Sequence, residues 1–135
     1  MDGGHGHHLV YGELTDRILD VAHKVHSALG PGLLEKPYKT CMSLEFTRSG
    51  IAFESEKCLP VVYQNVTIAL GYRVDFLAEG KVIVEVKSVE TILPVHEAQL
   101  LSYLRLSGRR VGLLINFNVP HLRQGIRRRI NGYAA

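Results

Sequence analysis

Asp75, Glu85 and Lys87 have the residue types and spacing that could do chemistry, in the pattern Asp-x(9)-Glu-x-Lys. Carboxylate oxygens suit a hard cation such as Mg²⁺, which takes octahedral oxygen ligands at about 2.1 Å and usually keeps part of its water. Lys87 follows Glu85 by two residues, so on a strand it shares that residue's face. An ammonium beside a metal-held water could position the water or stabilise developing negative charge. That is the apparatus of metal-assisted phosphodiester hydrolysis. The same charges, with Arg73 opposite Glu85, could equally form a surface ion-pair ladder that contributes little.

The stretch 70–88 has to position these residues. Two β-rich runs flank Ala78-Glu79-Gly80, which predicts a hairpin, and a three-residue loop with Gly80 in the left-handed position sets its register. Val74 is then expected opposite Val84, Phe76 opposite Val82 and Tyr72 opposite Val86, which gives one apolar face fit for burial. Arg73, Asp75, Glu85 and Lys87 share the other face, with Asp75 diagonal to Glu85 at about 7 Å. A slip of one residue would send every side chain to the wrong side.

The remaining elements follow from periodicity and turn residues. Residues 1–12 are rich in glycine and histidine and are expected to be a flexible tail, in which His5, His7 and His8 could bind metal adventitiously. Residues 13–135 are expected to form a single domain. Leu14, Ile18, Val21, Ala22, Val25 and Leu29 recur at helical spacing, predicting a helix over 15–29 that stops at Gly30-Pro31. His23 and His26 fall on the border of its apolar stripe.

A second helix runs from Gly32 to about residue 49, with Pro37 in its first turn, where the missing N–H does least harm. Glu35 near that start is ordinarily a dipole-complementing charge; its functional reading is a third carboxylate for a metal. Short strands are expected over 53–58, 60–64 and 66–70, with a turn at Asn65. Pro94 starts a third helix over 94–106, closed by Gly108, on which His96, Gln99 and Tyr103 share one face. Residues 111–117 are an almost continuous apolar run, the pattern of a buried central strand, and 126–130 form a final edge strand.

Composition narrows the function. With 135 residues, 46% hydrophobic and 21% charged, the chain has the balance of one globular domain. No apolar run reaches the roughly 20 residues needed to span a bilayer, and the first residues lack the pattern of a signal peptide. Two cysteines, Cys41 and Cys58, are too few for a zinc or iron–sulfur framework. Neither has a histidine beside it in sequence, and no serine sits in a nucleophile elbow. The cytoplasm is the expected location.

Net charge is only +3, but Arg105, Arg109, Arg110, Arg123, Arg127, Arg128 and Arg129 are concentrated near the C-terminus. Such a concentration is either the footprint of a phosphate-backbone binder or a basic edge that keeps the sheet from aggregating.

Gly32-x-x-Glu35, Asp75, Glu85-x-Lys87 and Gln99-x-x-x-Tyr103 occur in that order, and the series resembles the PD-(D/E)XK nuclease superfamily, in particular its RecB-like branch. The segments Gly32-Leu33-Leu34-Glu35-Lys36-Pro37-Tyr38, Leu93-Pro94-Val95-His96-Glu97-Ala98-Gln99 and Arg110-Val111-Gly112-Leu113-Leu114-Ile115-Asn116-Phe117-Asn118 resemble the GxxExxY proteins of bacteria and archaea. The resemblance covers about residues 14–131.

It implies an α/β fold with a restriction-endonuclease-like core, a mixed central sheet flanked by helices, and a nuclease acting on DNA. It also implies that Asp75, Glu85 and the backbone carbonyl of Val86 bind Mg²⁺ or Mn²⁺, with Glu35 adding a carboxylate, while Lys87 orients the attacking water. Gln99 and Tyr103 would hold the phosphate or the lysine, and His26 would match the histidine that precedes Gly-x-x-Glu in some relatives. Pro37 inside the first motif is a departure that bears on where Glu35 sits. So small a domain has little room for a DNA-reading subdomain, which favours a homodimer, a protein partner or a nonspecific substrate. The other class of function is a catalytically silent module of the same fold that binds nucleic acid or a partner protein.

Overall fold

Each apolar run of the chain becomes either a helix face or a sheet strand, and their order fixes a three-layer architecture. The computed structural model describes residues 9–132, so His5, His7 and His8 lie outside the described residues. Helix α1 (Gly12–Leu29) and helix α2 (Glu35–Arg48) precede strands β1 (Phe53–Tyr63), β2 (Val66–Ala78) and β3 (Val82–Lys87). Helix α3 (Pro94–Ser107), strand β4 (Val111–Asn116), a 3-10 turn (Leu122–Gly125) and strand β5 (Ile126–Ile130) follow. The sheet order is β1-β2-β3-β4-β5. Strands β3 and β4 are parallel, joined across α3, and every other neighbouring pair is antiparallel. This is the expected α/β fold: a mixed sheet flanked by helices, with a restriction-endonuclease-like core.

The α1 and α2 side of the sheet buries Ile18, Val21, Val25, Tyr38, Met42 and Phe46 against Phe76, Val84, Val86, Leu113 and Ile115. On the α3 side, Leu100 and Leu104 pack on Val74, Leu77, Ile83 and Leu114. Full burial of a large apolar side chain is worth about 1.5–3 kcal/mol, so β3 and β4, covered on both faces, anchor the domain. Their nearly continuous apolar sequences have this cause.

Three sequence boundaries move. Helix α1 starts at Gly12, inside the stretch assigned to the tail, and Gly12 is buried with the Thr15 hydroxyl donating to its carbonyl at 3.0 Å. The strands expected over 53–58 and 60–64 are one strand, β1, with a register irregularity between Leu59 and Val61 around Pro60. Strand β1 is at the sheet edge, where proline is tolerated. Gln64 and Asn65, with φ of 47° and 66°, make the tight turn into β2.

The central hairpin departs from its expected register. Glu79 and Gly80 both take positive φ and the Lys81 N–H donates to the Ala78 carbonyl at 2.9 Å, so the turn lies one residue later than expected. Ala78 pairs with Val82 and Phe76 with Val84, not Phe76 with Val82. The single apolar face does not form either: Phe76 joins Val82, Val84 and Val86 under α1 and α2, while Val74 and Tyr72 join Ile83 under α3. The alternation of β2 slips at Asp75. Strand β1 pairs with β2 on both sides of that point, Ser55 with Phe76 and Lys57 with Val74, but forms no pair between Glu56 and Asp75. Glu56 itself has φ 51°, the left-handed region.

Candidate active site

The slip turns Asp75 toward Glu85. The paired residues of β2 and β3 end at Phe76 with Val84, and the two acids come next on their strands, nearer each other than the expected diagonal with its register of Phe76 opposite Val82. Beyond Phe76 the backbone ladder between β2 and β3 stops and the carboxylates take its place. The Asp75 N–H donates to Glu85 Oε2 at 2.9 Å, and the Val86 N–H donates to Asp75 Oδ2 at 2.7 Å.

Glu85 is 7% exposed. Burial, and then the facing Asp75 carboxylate, push its pKa from 4.5 up to about 8, against the opposing influence of the Asp75 N–H, Lys87 and Lys39. A buried acid held against a second carboxylate is the arrangement that a divalent cation would relieve. The donor set fits one, because both side chains offer hard oxygens and Glu85 Oε1 has no hydrogen-bond donor among the described residues. Among the described residues no group of three or more His, Cys, Asp or Glu side chains is placed to hold a metal. A cation here would therefore complete its shell with backbone carbonyl, water and substrate oxygens, as Mg²⁺ commonly does.

Lys87 closes β3, is half-buried, and lies near enough to Glu85 to favour its ionised form. Arg73 is not with them: its Nε pairs with Glu56 Oε1 at 3.1 Å and the side chain is largely exposed. Helix α3 supplies a wall. Tyr103 stacks on Tyr72 with ring centroids 4.3 Å apart and planes at 10°, and the Tyr72 hydroxyl donates to the Tyr103 carbonyl at 2.7 Å. Burial, and then the Glu85 carboxylate, push the Tyr103 phenol up, so it stays a protonated donor near neutral pH. Gln99 is exposed one turn earlier on the same helix face.

Glu35 opens α2 and lines a cleft of about 540 Å³ with Lys39, Glu56 and Phe76. It does not touch Asp75; Lys39, one turn further along, does. The Lys39 ammonium lies 3.3 Å from Asp75 Oδ1 and 3.1 Å from Glu56 Oε2. Burial opposes its charge, but the Glu56 and Asp75 carboxylates outweigh that and raise its pKa.

Sequence reasoning missed Lys39, although its i+4 relation to Glu35 put both on one helix face. It also missed Glu56, which lines the cleft and holds a left-handed backbone. His26 is elsewhere: its Nε2 bonds to the Val119 carbonyl at 2.8 Å, and it lines a separate cavity of about 530 Å³ with His23, His121 and Arg123.

The Gly32-x-x-Glu35-x-x-Tyr38 segment has a structural logic of its own. The buried Tyr38 hydroxyl donates to the Gly30 carbonyl at 2.6 Å and accepts from the Leu33 N–H at 3.2 Å, while its ring stacks on Phe117. It straps down the turn that delivers Glu35. Pro37 stands third in α2, where no intrahelical N–H bond is lost.

An α/β sheet carrying two opposed acids and a lysine on its central strands is the layout of one large nuclease class. A family model of the PD-(D/E)XK nuclease superfamily matches residues 12–129, and the chain belongs to that superfamily. Comparison with curated proteins and with solved structures returned no match.

Proposed function

We propose that the protein is a metal-dependent nuclease that hydrolyses phosphodiester bonds of DNA, within the RecB-like branch and the GxxExxY proteins. The observation that carries this reading is the contact between Asp75 and Glu85, whose carboxylates each accept a backbone N–H from the other's strand, with Lys87 at the end of the Glu85 strand. Asp75, Glu85 and the carbonyl of Val86 would hold Mg²⁺ or Mn²⁺, which supplies charge stabilisation and a nucleophilic water when bound. Glu35 approaches from the cleft side.

Lys87 orients the attacking oxygen through its ammonium and favours charge on the phosphate. The Tyr103 phenol, and Gln99 beside it, donate hydrogen bonds to phosphate oxygens. The Tyr72–Tyr103 stack keeps this wall rigid and limits water on the α3 side. Nucleic acid is the partner, and a second copy or another protein would supply the DNA-reading surface this small fold lacks. We place the protein in the cytoplasm; among the described residues no helix is long and apolar enough to cross a membrane.

The test is cleavage of labelled single- and double-stranded DNA with Mg²⁺ or Mn²⁺ by wild type, Asp75→Asn and Lys87→Met. Loss of at least about 100-fold in rate in both variants is expected for groups acting on the transition state. The second reading, a silent binding module, draws on Lys39, which already gives Asp75 a cation. It would be supported by salt-dependent DNA binding that survives both substitutions without any cutting.

A further inference from the structure

We infer that Lys39 is a built-in placeholder for the metal, an ammonium that occupies the cation position beside Asp75 and must withdraw to Glu56 before a divalent ion can bind. The inference rests on the metal-centre reading above.

Three observations carry it. Lys39 contacts Asp75 on Oδ1, while Oδ2 is spent on the Val86 N–H. Oδ1 is thus the oxygen left for a cation, and the ammonium is already on it. Next, Lys39 is shared between two acids, and the contact with Glu56 at 3.1 Å is the shorter. It can leave Asp75 without losing its counter-charge.

Glu56, finally, holds a left-handed backbone conformation that costs a non-glycine residue about 1 kcal/mol or more. The result is a carboxylate that gathers both Lys39 and Arg73 at the rim of the cleft. A helical lysine that merely braced α2 against the sheet would need no such second anchor. Once withdrawn to Glu56, the ammonium still lines the 540 Å³ cleft, where it would meet the phosphate of a bound strand.

Two consequences follow. In the metal-free protein Lys39 offsets part of the repulsion within the acid pair, so the hairpin holds together without an ion. Metal affinity is in turn lowered by the cost of displacing the ammonium, so the centre would fill most readily when substrate phosphate draws Lys39 away. Metal and nucleic acid would then bind cooperatively.

Titrating Mn²⁺ calorimetrically into the full chain tests this, comparing wild type with Lys39→Met, Lys39→Gln and Lys39→Arg. Removing the ammonium should tighten Mn²⁺ binding about five- to tenfold in the Met and Gln variants, since a part-buried ion pair of this kind is worth on the order of 1 kcal/mol. Lys39→Arg should bind as wild type does. Equal or weaker binding by folded Lys39→Met and Lys39→Gln would overturn the placeholder while leaving the metal centre standing. Absence of Mn²⁺ binding from wild type and all variants, each shown folded by circular dichroism, would overturn the metal-centre reading and this inference with it.

Discussion

Asp75 and Glu85 hold β2 and β3 together with their side chains at the point where the backbone ladder ends, each carboxylate accepting a backbone N–H of the opposite strand. A pair of acids is thereby kept close in a site that burial makes hostile to charge.

The first prediction concerns pH and the metal-free protein. Glu85 binds its proton more tightly when folded, at about 8, than at the ordinary 4.5. Its contribution to stability is fully present below about pH 4.5 and is lost as the pH rises toward about 8. At about 1.4 kcal/mol per pH unit, that interval corresponds to a few kcal/mol. Urea unfolding of wild type and Glu85→Gln should show the variant gaining on wild type from pH 5 to 8 and holding a constant lead above that. A gap independent of pH would mean Glu85 is ionised throughout.

Tyr38→Phe should cost about 1–3 kcal/mol, because the Gly30 carbonyl and the Leu33 N–H lose their shared partner while the ring keeps its packing on Phe117. Denaturant midpoints would measure it. Faster amide exchange confined to the 30–35 turn is the expected local signature.

Asn116, 2% exposed, ends β4 and bonds both backbone groups of Val89, accepting its N–H at 3.0 Å and donating to its carbonyl at 2.9 Å. Asn116→Leu should therefore cost about 2–3 kcal/mol and loosen the segment just after Lys87. Gly125 packs on the same residue: an added Cβ would stand 2.1 Å from the Asn116 carbonyl oxygen, so Gly125→Ala should cost at least about 2 kcal/mol in thermal unfolding.

The C-terminal arginines divide by partner. Arg127 and Arg129 both pair with Glu97 on α3, and Arg128 donates to the Val10 carbonyl at 2.6 Å. Arg105, Arg110 and Arg123 have no acidic partner among the described residues. Arg110→Ala and Arg123→Ala should each lower the log–log salt slope of DNA binding by about 1, whereas Arg127→Ala should leave it unchanged and cost less than about 1 kcal/mol of stability. Equal slope changes in all three would show that Glu97 does not hold Arg127 back.

These arginines also show where sequence reading ends. Their clustering was visible, but Glu97 lies on another element, and only the fold reveals that it pairs with two of them. The helices, the apolar β4 and the ordered motifs were legible because each is a local pattern of period, proline and glycine. The hairpin register was not. Strict alternation assigned Val74 and Phe76 to one face, and nothing local announces that β2 slips at Asp75 to satisfy a buried partner on β3. For the same reason Asp75 and Glu85 were found together but with the wrong geometry.

Because the two carboxylates serve as the clasp of the hairpin, these positions cannot drift freely in a lineage that no longer needs chemistry. On the nuclease reading, a descendant that stopped cutting would still need a hydrogen-bond acceptor at both positions, acid or amide, and the loss would be written first at Lys87 or Tyr103. The bench counterpart is that alanine at Asp75 or Glu85 confounds a dead enzyme with a damaged one, whereas Asn and Gln keep an acceptor for the opposing N–H.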